Sequence, residues 1–389
     1  MQDSNLRIMI VAGEASGDLH AAKLVRALRE AVGYREIDFF GAAGPKMREA
    51  GVEPIVSSDE LSIVGLLEIG RALPTFLRAF GKLKRAAKER HPQIAVLIDF
   101  PDFNLKLAKT LKRQGVDVVY YISPQLWAWR GYRISTIRKY VDLMITILPF
   151  EKDWYLRRGV SHVEYVGSPL AREVQPGRIK EDFCKAHELD PDRSIVSLLP
   201  GSRHKEIVRI LPVMVETVLE LAEQRPELQF VIALASERPL SDVKQILLAA
   251  EKKTQLPDDL FIIPGETFDV LNASDVAAVT SGTATLETAI IGTPMVVVYK
   301  TSAINYALLR PLISVEHFGL VNLIAGERIA KEMIQGELTS RSLADELLRL
   351  LDPKVNAAAR ADLRKTSDKL GHGGASKRAA EAILKLIKP

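Results

Sequence analysis

Short runs of apolar, largely β-branched residues alternate with amphipathic stretches along nearly the whole chain, a pattern that few folds accept. In the first half the runs are "RIMIVA", "IDFFGA", "IAVLID", "VVYYIS" and "LMITIL"; in the second they are "SIVSLLP", "QFVIALA", "LFIIPG", "VAAVTSG" and "PMVVVY". Between them lie helical segments such as "LHAAKLVRALREAV", in which Leu19, Ala22, Val25, Leu28 and Val32 share one face. Strand and helix in strict alternation imply parallel sheets covered by helices on both sides. The series breaks near 170–193, where "QPGRIKEDFCKAHELDPDR" has no strand character, and 389 residues exceed what one core usually supports. The expected fold class is therefore α/β, two Rossmann-like doubly wound domains facing across a cleft. The expected boundaries are 1–175, 190–350, and C-terminal helices over 351–389 that can pack back on the first domain.

Composition narrows the function classes. With 47% hydrophobic and 26% charged residues the chain is an ordinary globular one, and a net charge of +4 is too weak to argue for nucleic acid. A single cysteine, Cys184, forms no internal disulfide, and no Cys/His cluster has the spacing of a structural zinc site. The N-terminal apolar run is too short for a signal peptide or a spanning helix, so any membrane contact is expected at the cytosolic surface.

Ligands of open parallel sheets collect beyond the C-terminal ends of the strands, which directs attention to the loops that follow them. After the first strand stand Gly13, Glu14, Ser16, Gly17, Asp18 and His20. This is not a dinucleotide fingerprint: a third glycine is missing and Glu14 would repel a pyrophosphate. Asp18 or Ser16 could simply cap the helix, but the four polar side chains exceed what capping requires. Asp99 ends the apolar strand "VLID", where burial would raise its pKa and suit it to accept a proton. Pro101 fits the first turn of the next helix, and Asp102 fits a cap or a dipole partner.

In the second half, "LLPGSRHKEI" runs a strand into Gly201, Ser202 and Arg203 at a helix start, where free backbone N–H groups and a guanidinium suit an anion. "VTSGTATLE" presents Ser281, Gly282 and Thr283, with Glu287 one turn into the following helix and on the face toward the loop. Two donor loops beside a carboxylate able to hold ribose hydroxyls read as a nucleoside diphosphate pocket. "DPD" at 190–192 resembles a metal-binding triplet, but it precedes a strand and Pro191 marks a turn, so no metal and no cofactor are expected. Residues 61–90 place apolar residues ahead of a helix bearing Arg78, Lys82, Lys84, Arg85, Lys88 and Arg90, which suits either a core helix with a charged outer face or an interfacial segment on an anionic membrane. Trp127, Trp129 and Tyr132 near Arg130 and Arg133 suit sugar stacking or inter-domain packing.

In order, "VAGEASGD", "GAAGPKM", "IDFPDFN", "YYISPQLWAW", "LPFEKDWY", "LLPGSR", "SGTATLE" and "VNLIAG" closely resemble the lipid-A-disaccharide synthase family, inverting glycosyltransferases of the GT-B fold found in Gram-negative bacteria. The resemblance spans about residues 7–335; Phe100 and the looser "GERIAKEMIQGELT" depart from the family pattern. It implies transfer of diacylglucosamine from UDP to the 6-hydroxyl of diacylglucosamine 1-phosphate, with release of UDP and formation of a β(1→6) disaccharide. By position in the motif Asp99 would be the general base; Glu14, Ser16 and His20 would line the acceptor side. Gly201, Ser202, Arg203, Ser281, Gly282, Thr283, Glu287 and Asn322 would bind the UDP-sugar. The implied location is cytoplasmic, peripheral on the inner face of the inner membrane, and a homodimer is left open. A UDP-sugar epimerase would share the fold and nucleotide pocket but has no use for the apolar-basic segment; a membrane adaptor would not need Asp99 or the paired donor loops.

Overall fold

The computed structural model describes residues 6–33, 36–58, 69–236, 239–310 and 315–387, with backbone alone for 69–73, 305, 308 and 309. The chain divides into two compact units, residues 1–169 with 373–389, and residues 170–372. The boundary thus falls at 170, and the stretch 170–189 belongs to the second unit. The C-terminal helices do not act together: Pro353–Asp368 lies in the second unit and Ala375–Leu386 in the first.

The first unit holds a seven-stranded parallel sheet: β1 (Leu6–Ala12), β2 (Ile37–Ala43), β3 (Glu53–Ser57), β4 (Ile94–Ile98), β5 (Asp117–Tyr121), β6 (Leu143–Thr146) and β7 (Val163–Tyr165). Its order is β3-β2-β1-β4-β5-β6-β7, so the winding reverses between β1 and β4. Both faces of the sheet are buried, which explains the continuous apolar runs. On one face Ile8, Ile10, Ala12, Val96 and Ile98 pack against Leu24, Val25 and Leu28 of the helix Ala15–Val32, and against Ala375, Ala379, Ala380 and Ile383 of the last helix. Those last four residues form one apolar stripe, and Arg378 Nε adds a 2.8 Å hydrogen bond to the Val166 carbonyl. On the other face Met9, Val11, Ala95 and Leu97 pack against Ala79, Leu83, Ala86 and Ala87 of the helix Ile69–Arg90, and against Leu107, Ala108 and Leu111 of Pro101–Arg113.

The second unit repeats the plan with β8 (Ile195–Leu199), β9 (Gln229–Leu234), β10 (Leu260–Pro264), β11 (Val276–Thr280), β12 (Met295–Tyr299) and β13 (Glu332–Ile334), all parallel, in the order β10-β9-β8-β11-β12-β13. Its reversal lies between β8 and β11. Val196 and Leu198 face helices His204–Gln224 and Ser340–Leu351, while Ile195 and Leu199 face Lys180–Ala186 and Ala284–Ile291. Cys184 is buried in this second core, where burial raises its thiol pKa.

Candidate active site

The loops that follow β1 and β4 flank the reversal point of the first sheet, the place where open parallel sheets bind ligands. They carry Gly13 and Glu14 on one side and Asp99 and Phe100 on the other. Asp99 and Phe100 both adopt left-handed backbone, with φ of +47° and +48°. Two such residues in succession, neither of them glycine, store roughly 1–3 kcal/mol of strain each. Named contacts hold the turn: Asn104 Nδ2 donates to the carbonyls of Ile98 at 3.1 Å and Asp99 at 2.9 Å, and the Tyr120 hydroxyl donates to the Asp99 carbonyl at 2.5 Å. The Phe100 ring stacks with Phe76 and Phe103 and lies over Gly13, where a Cβ would come within 2.5 Å of it. Gly13 is therefore required by close approach, and Phe100 closes the loop on its apolar side. Burial, and then the nearby Glu14 carboxylate, push the Asp99 carboxyl up to about 6 against a partial offset from the Phe100 backbone N–H. That places its proton exchange in the range useful to a general base.

Glu14 and Ser16 are exposed, and His20 is half-buried one turn beyond Ser16 on the same helix. Asp18 does not cap its own helix. It is buried, and its carboxylate accepts from the backbone N–H groups of Gly44, Lys46 and Met47 at 2.9, 2.8 and 3.1 Å, closing the start of the helix Pro45–Glu49. Asp102 stands in the first turn of the helix Pro101–Arg113, as a dipole partner would, and it also pairs with Arg130 at 2.9 Å and with Arg133. Burial opposes ionisation of Asp102, but the two guanidinium groups outweigh it and hold the carboxyl below its usual range.

Sequence reasoning missed Glu151. It is fully buried, accepts from Trp127 Nε1 at 3.1 Å and from the N–H groups of Leu148 and Ile147 at 3.0 and 3.3 Å, and burial pushes it up to about 7. It ties the loop after β5 to the loop after β6, and the pattern Leu148-Pro149-Phe150-Glu151, a proline-started helix with Glu at its third position, was the available signal. Trp127 is accordingly buried against Phe150, whereas Trp129 and Tyr132 are exposed.

In the second unit the loops after β8 and β11 again flank the reversal point, and the Thr280 hydroxyl joins them by donating to the Leu199 carbonyl at 2.9 Å. Arg203 opens the helix His204–Gln224, with its side chain 83% exposed and Nη1 at 3.3 Å from Glu206 Oε1. Glu206 Oε2 also accepts from the N–H groups of Ser202 and Arg203, both at 3.3 Å, so an acidic side chain already engages the amides that suit an anion. Gly201 has φ +105°, and a Cβ there would lie 2.6 Å from Glu206 Oε2. Ser281 donates to the Phe318 carbonyl at 2.7 Å, while Gly282 and Thr283 lead into the helix Ala284–Ile291. Glu287 lies in the first turn of that helix, and burial raises its carboxyl pKa. Asn322 is placed otherwise than as an open ligand contact: it is fully buried, donates to the Ala330 carbonyl at 2.7 Å and to Glu332 Oε1 at 2.9 Å, and accepts from the Ala330 N–H. Glu332 in turn holds the N–H groups of Phe318 and Gly319. Among the described residues no three His, Cys, Asp or Glu side chains cluster to hold a metal, and Asp190 forms part of a turn bonded to Gln229.

The model of the lipid-A-disaccharide synthetase family matches residues 8–386. The chain belongs to this family. Curated lipid-A-disaccharide synthases from Geobacter sulfurreducens and Myxococcus xanthus are 42% and 43% identical over 388 and 384 residues, covering 99% and 98% of this chain and 98% of each relative. Family membership makes the chain a glycosyltransferase of lipid A disaccharide synthesis, with a UDP-sugar donor and a lipid-linked acceptor. Among solved structures, a putative UDP-N-acetylglucosamine 2-epimerase from Listeria monocytogenes superposes with a TM-score of 0.67 at 16% identity, covering 98% of this chain and 96% of that one. A sucrose-phosphate synthase from Thermosynechococcus elongatus superposes with a TM-score of 0.60 at 16% identity, over 98% and 99%. At such identity these neighbours speak to fold alone, and that fold is the GT-B type expected for the family.

Proposed function

We propose that Asp99 is the general base of an inverting transfer between UDP-2,3-diacylglucosamine and 2,3-diacylglucosamine 1-phosphate. The Asp99 carboxylate takes the proton of the acceptor 6-hydroxyl while that oxygen bonds to the anomeric carbon of the donor. The bond from that carbon to the UDP oxygen breaks, and UDP leaves with the electron pair. Inversion gives the β(1→6) disaccharide 1-phosphate. Glu14, Ser16 and His20 line the acceptor side, and the Glu14 charge keeps the Asp99 carboxyl basic enough to act near neutral pH. In the second unit Arg203, the amides of 201–203 and the donors of 281–283 balance the growing charge on the diphosphate, and Glu287 holds the ribose hydroxyls. Asn322 acts through Glu332, by fixing the backbone of 318–319 against Ser281. No metal is assigned a role.

The observation that carries this reading is Asp99 itself: a half-buried carboxylate in a strained turn, at the reversal point of the sheet, with its pKa pushed up to about 6. The test is incubation of the two acylated sugars with the protein and mass spectrometry of the products. The disaccharide 1-phosphate and UDP are expected in equal amounts. An isomerised UDP-acylsugar formed without acceptor would instead support an epimerase.

The enzyme also works at an anionic membrane surface in this reading. No helix among the described residues is long and apolar enough to cross a membrane. Residues 61–68 lie outside the described residues. From Phe76 onward the helix Ile69–Arg90 buries Ala79, Leu83, Ala86 and Ala87 in the core and exposes Lys82, Lys84, Arg85 and Lys88. That half is a core helix with a cationic outer face, and Leu77 beside it is 63% exposed. The cations suit anionic headgroups while the preceding apolar segment supplies contact with acyl chains.

A further inference from the structure

The loop after β5 ends in a feature that the reaction scheme leaves unused. Arg130 and Arg133 converge on one carboxylate, Asp102: Arg130 Nη1 lies 2.9 and 3.3 Å from its two oxygens, and Arg133 Nη2 bonds the first of them. Two guanidinium groups on one carboxylate leave a net positive charge. The contacts to Asp102 engage one nitrogen of each guanidinium, and Arg133 also bonds the Tyr132 side chain, while each group carries five N–H donors. Arg130 is itself held in place, since its backbone is left-handed at φ +55° and its guanidinium stacks 4.1 Å from the centre of the Trp129 ring. Behind this loop, buried Glu151 anchors Trp127. The arrangement is cationic and open on the side of Asp102 and Arg130, which are 67% and 35% exposed, while Arg133 is 16% exposed.

Its position supplies the ligand. Asp102 follows Asp99 by three residues, a span of at most about 10 Å of chain. Tyr120, whose hydroxyl bonds the Asp99 carbonyl, lies within electrostatic reach of Asp99, Arg133 and Asp102 alike. A sugar whose 6-hydroxyl meets Asp99 carries its C1 substituent about one ring away. We propose that Arg130 and Arg133 form a clamp for the phosphate monoester of the acceptor, with Asp102 as the internal anion that holds the two guanidinium groups side by side. The proposal rests on Asp99 being the base for a sugar 1-phosphate acceptor. Planar guanidinium pairs suit a phosphate monoester because they offer parallel N–H donors to its oxygens.

The test is acceptor selectivity: the ratio of kcat/KM for diacylglucosamine 1-phosphate to that for the same sugar without phosphate. Wild type is expected to favour the phosphorylated sugar, and Arg130→Ala and Arg133→Ala each to lower that ratio about tenfold or more, the usual loss for a hydrogen bond to a charged group. Asp102→Asn should retain the preference. A ratio that stays unchanged in both arginine variants, even with falling overall activity, would mean that the arginines only brace Asp102 and would overturn the clamp. So would wild type that uses both sugars equally; turnover of neither sugar would count against the reaction scheme. Independently of turnover, glucosamine 1-phosphate should broaden its 31P resonance with wild type and not with the double variant Arg130→Ala, Arg133→Ala; equal broadening by both would overturn the clamp. Loss of sedimentation with phosphatidylglycerol vesicles in the arginine variants, with the selectivity ratio intact, would assign the pair to lipid headgroups instead.

Discussion

Replacing Asp99 by Asn removes the proton acceptor while keeping its size. Its carboxyl has moved from 3.8 to about 6. At about 1.4 kcal/mol per unit, the site therefore disfavours the ionised form by roughly 3 kcal/mol relative to water. A base with this pKa is almost wholly ionised at pH 8, half ionised near pH 6, and about one-tenth ionised at pH 5. kcat/KM should accordingly fall about twofold at pH 6 and about tenfold at pH 5, along a limb of unit slope. Asp99→Asn should lose about 10²–10⁴ in turnover at pH 8 and lose that limb as well, with UDP affinity retained. Glu14→Gln supplies the second perturbation. Burial is the larger cause of the raised pKa and Glu14 the next, so removing the Glu14 charge should move the limb to lower pH without abolishing it. The assay is initial-rate disaccharide formation between pH 4.5 and 9, with circular dichroism checking the fold. Near-normal turnover in folded Asp99→Asn, or a wild-type limb that Glu14→Gln leaves in place, would refute the reasoning.

Arg203→Ala and Glu287→Ala should each weaken UDP binding by about 1.5–3 kcal/mol in titration calorimetry, the range for hydrogen bonds to charged groups; unaltered affinity in both would remove the pocket assignment. Serine at Lys82, Lys84 and Arg85 should reduce sedimentation with anionic liposomes, and wild-type binding should fall as salt rises; indifference to both would leave that helix a core element alone. Glu151 takes its proton near pH 7 when folded and near 4.5 when unfolded, so the native state holds the extra proton between those values. Its contribution to stability is full below pH 4.5 and is lost as pH rises through 7, a difference of about 3 kcal/mol. The stability of wild type relative to Glu151→Gln, from urea unfolding, should fall by that order between pH 4.5 and 8; a flat difference would contradict the buried titration.

The sheet architecture was legible in the sequence because a parallel sheet buried on both faces demands unbroken apolar strands, and each needs a helix to return the chain. That Asp99, Arg203 and Glu287 stand in or just past the loops at strand ends was legible for a related reason: the apolar strands mark where those loops begin. The short edge strands β3, β7 and β13 were not, since "EPIVS", "VEY" and "EMI" carry too few apolar residues to stand out. The partners of the polar residues were equally invisible. Asp18 reads locally as a helix cap, but it serves amides 26 to 29 residues away. Asp102 is the dipole partner its position suggests, but nothing local shows that the loop after β5 sets Arg130 and Arg133 beside it, or that β13 brings Glu332 to Asn322, which the resemblance places near the donor. The last helix, Ala375–Leu386, shows its apolar stripe in the sequence but not the sheet it covers. Hydrophobic periodicity is a local property, set within one or two turns of chain, so sequence alone determines which elements form and which loops end up at strand termini. Which carboxylate meets which donor depends on crossovers of tens of residues, and only the packed structure decides that.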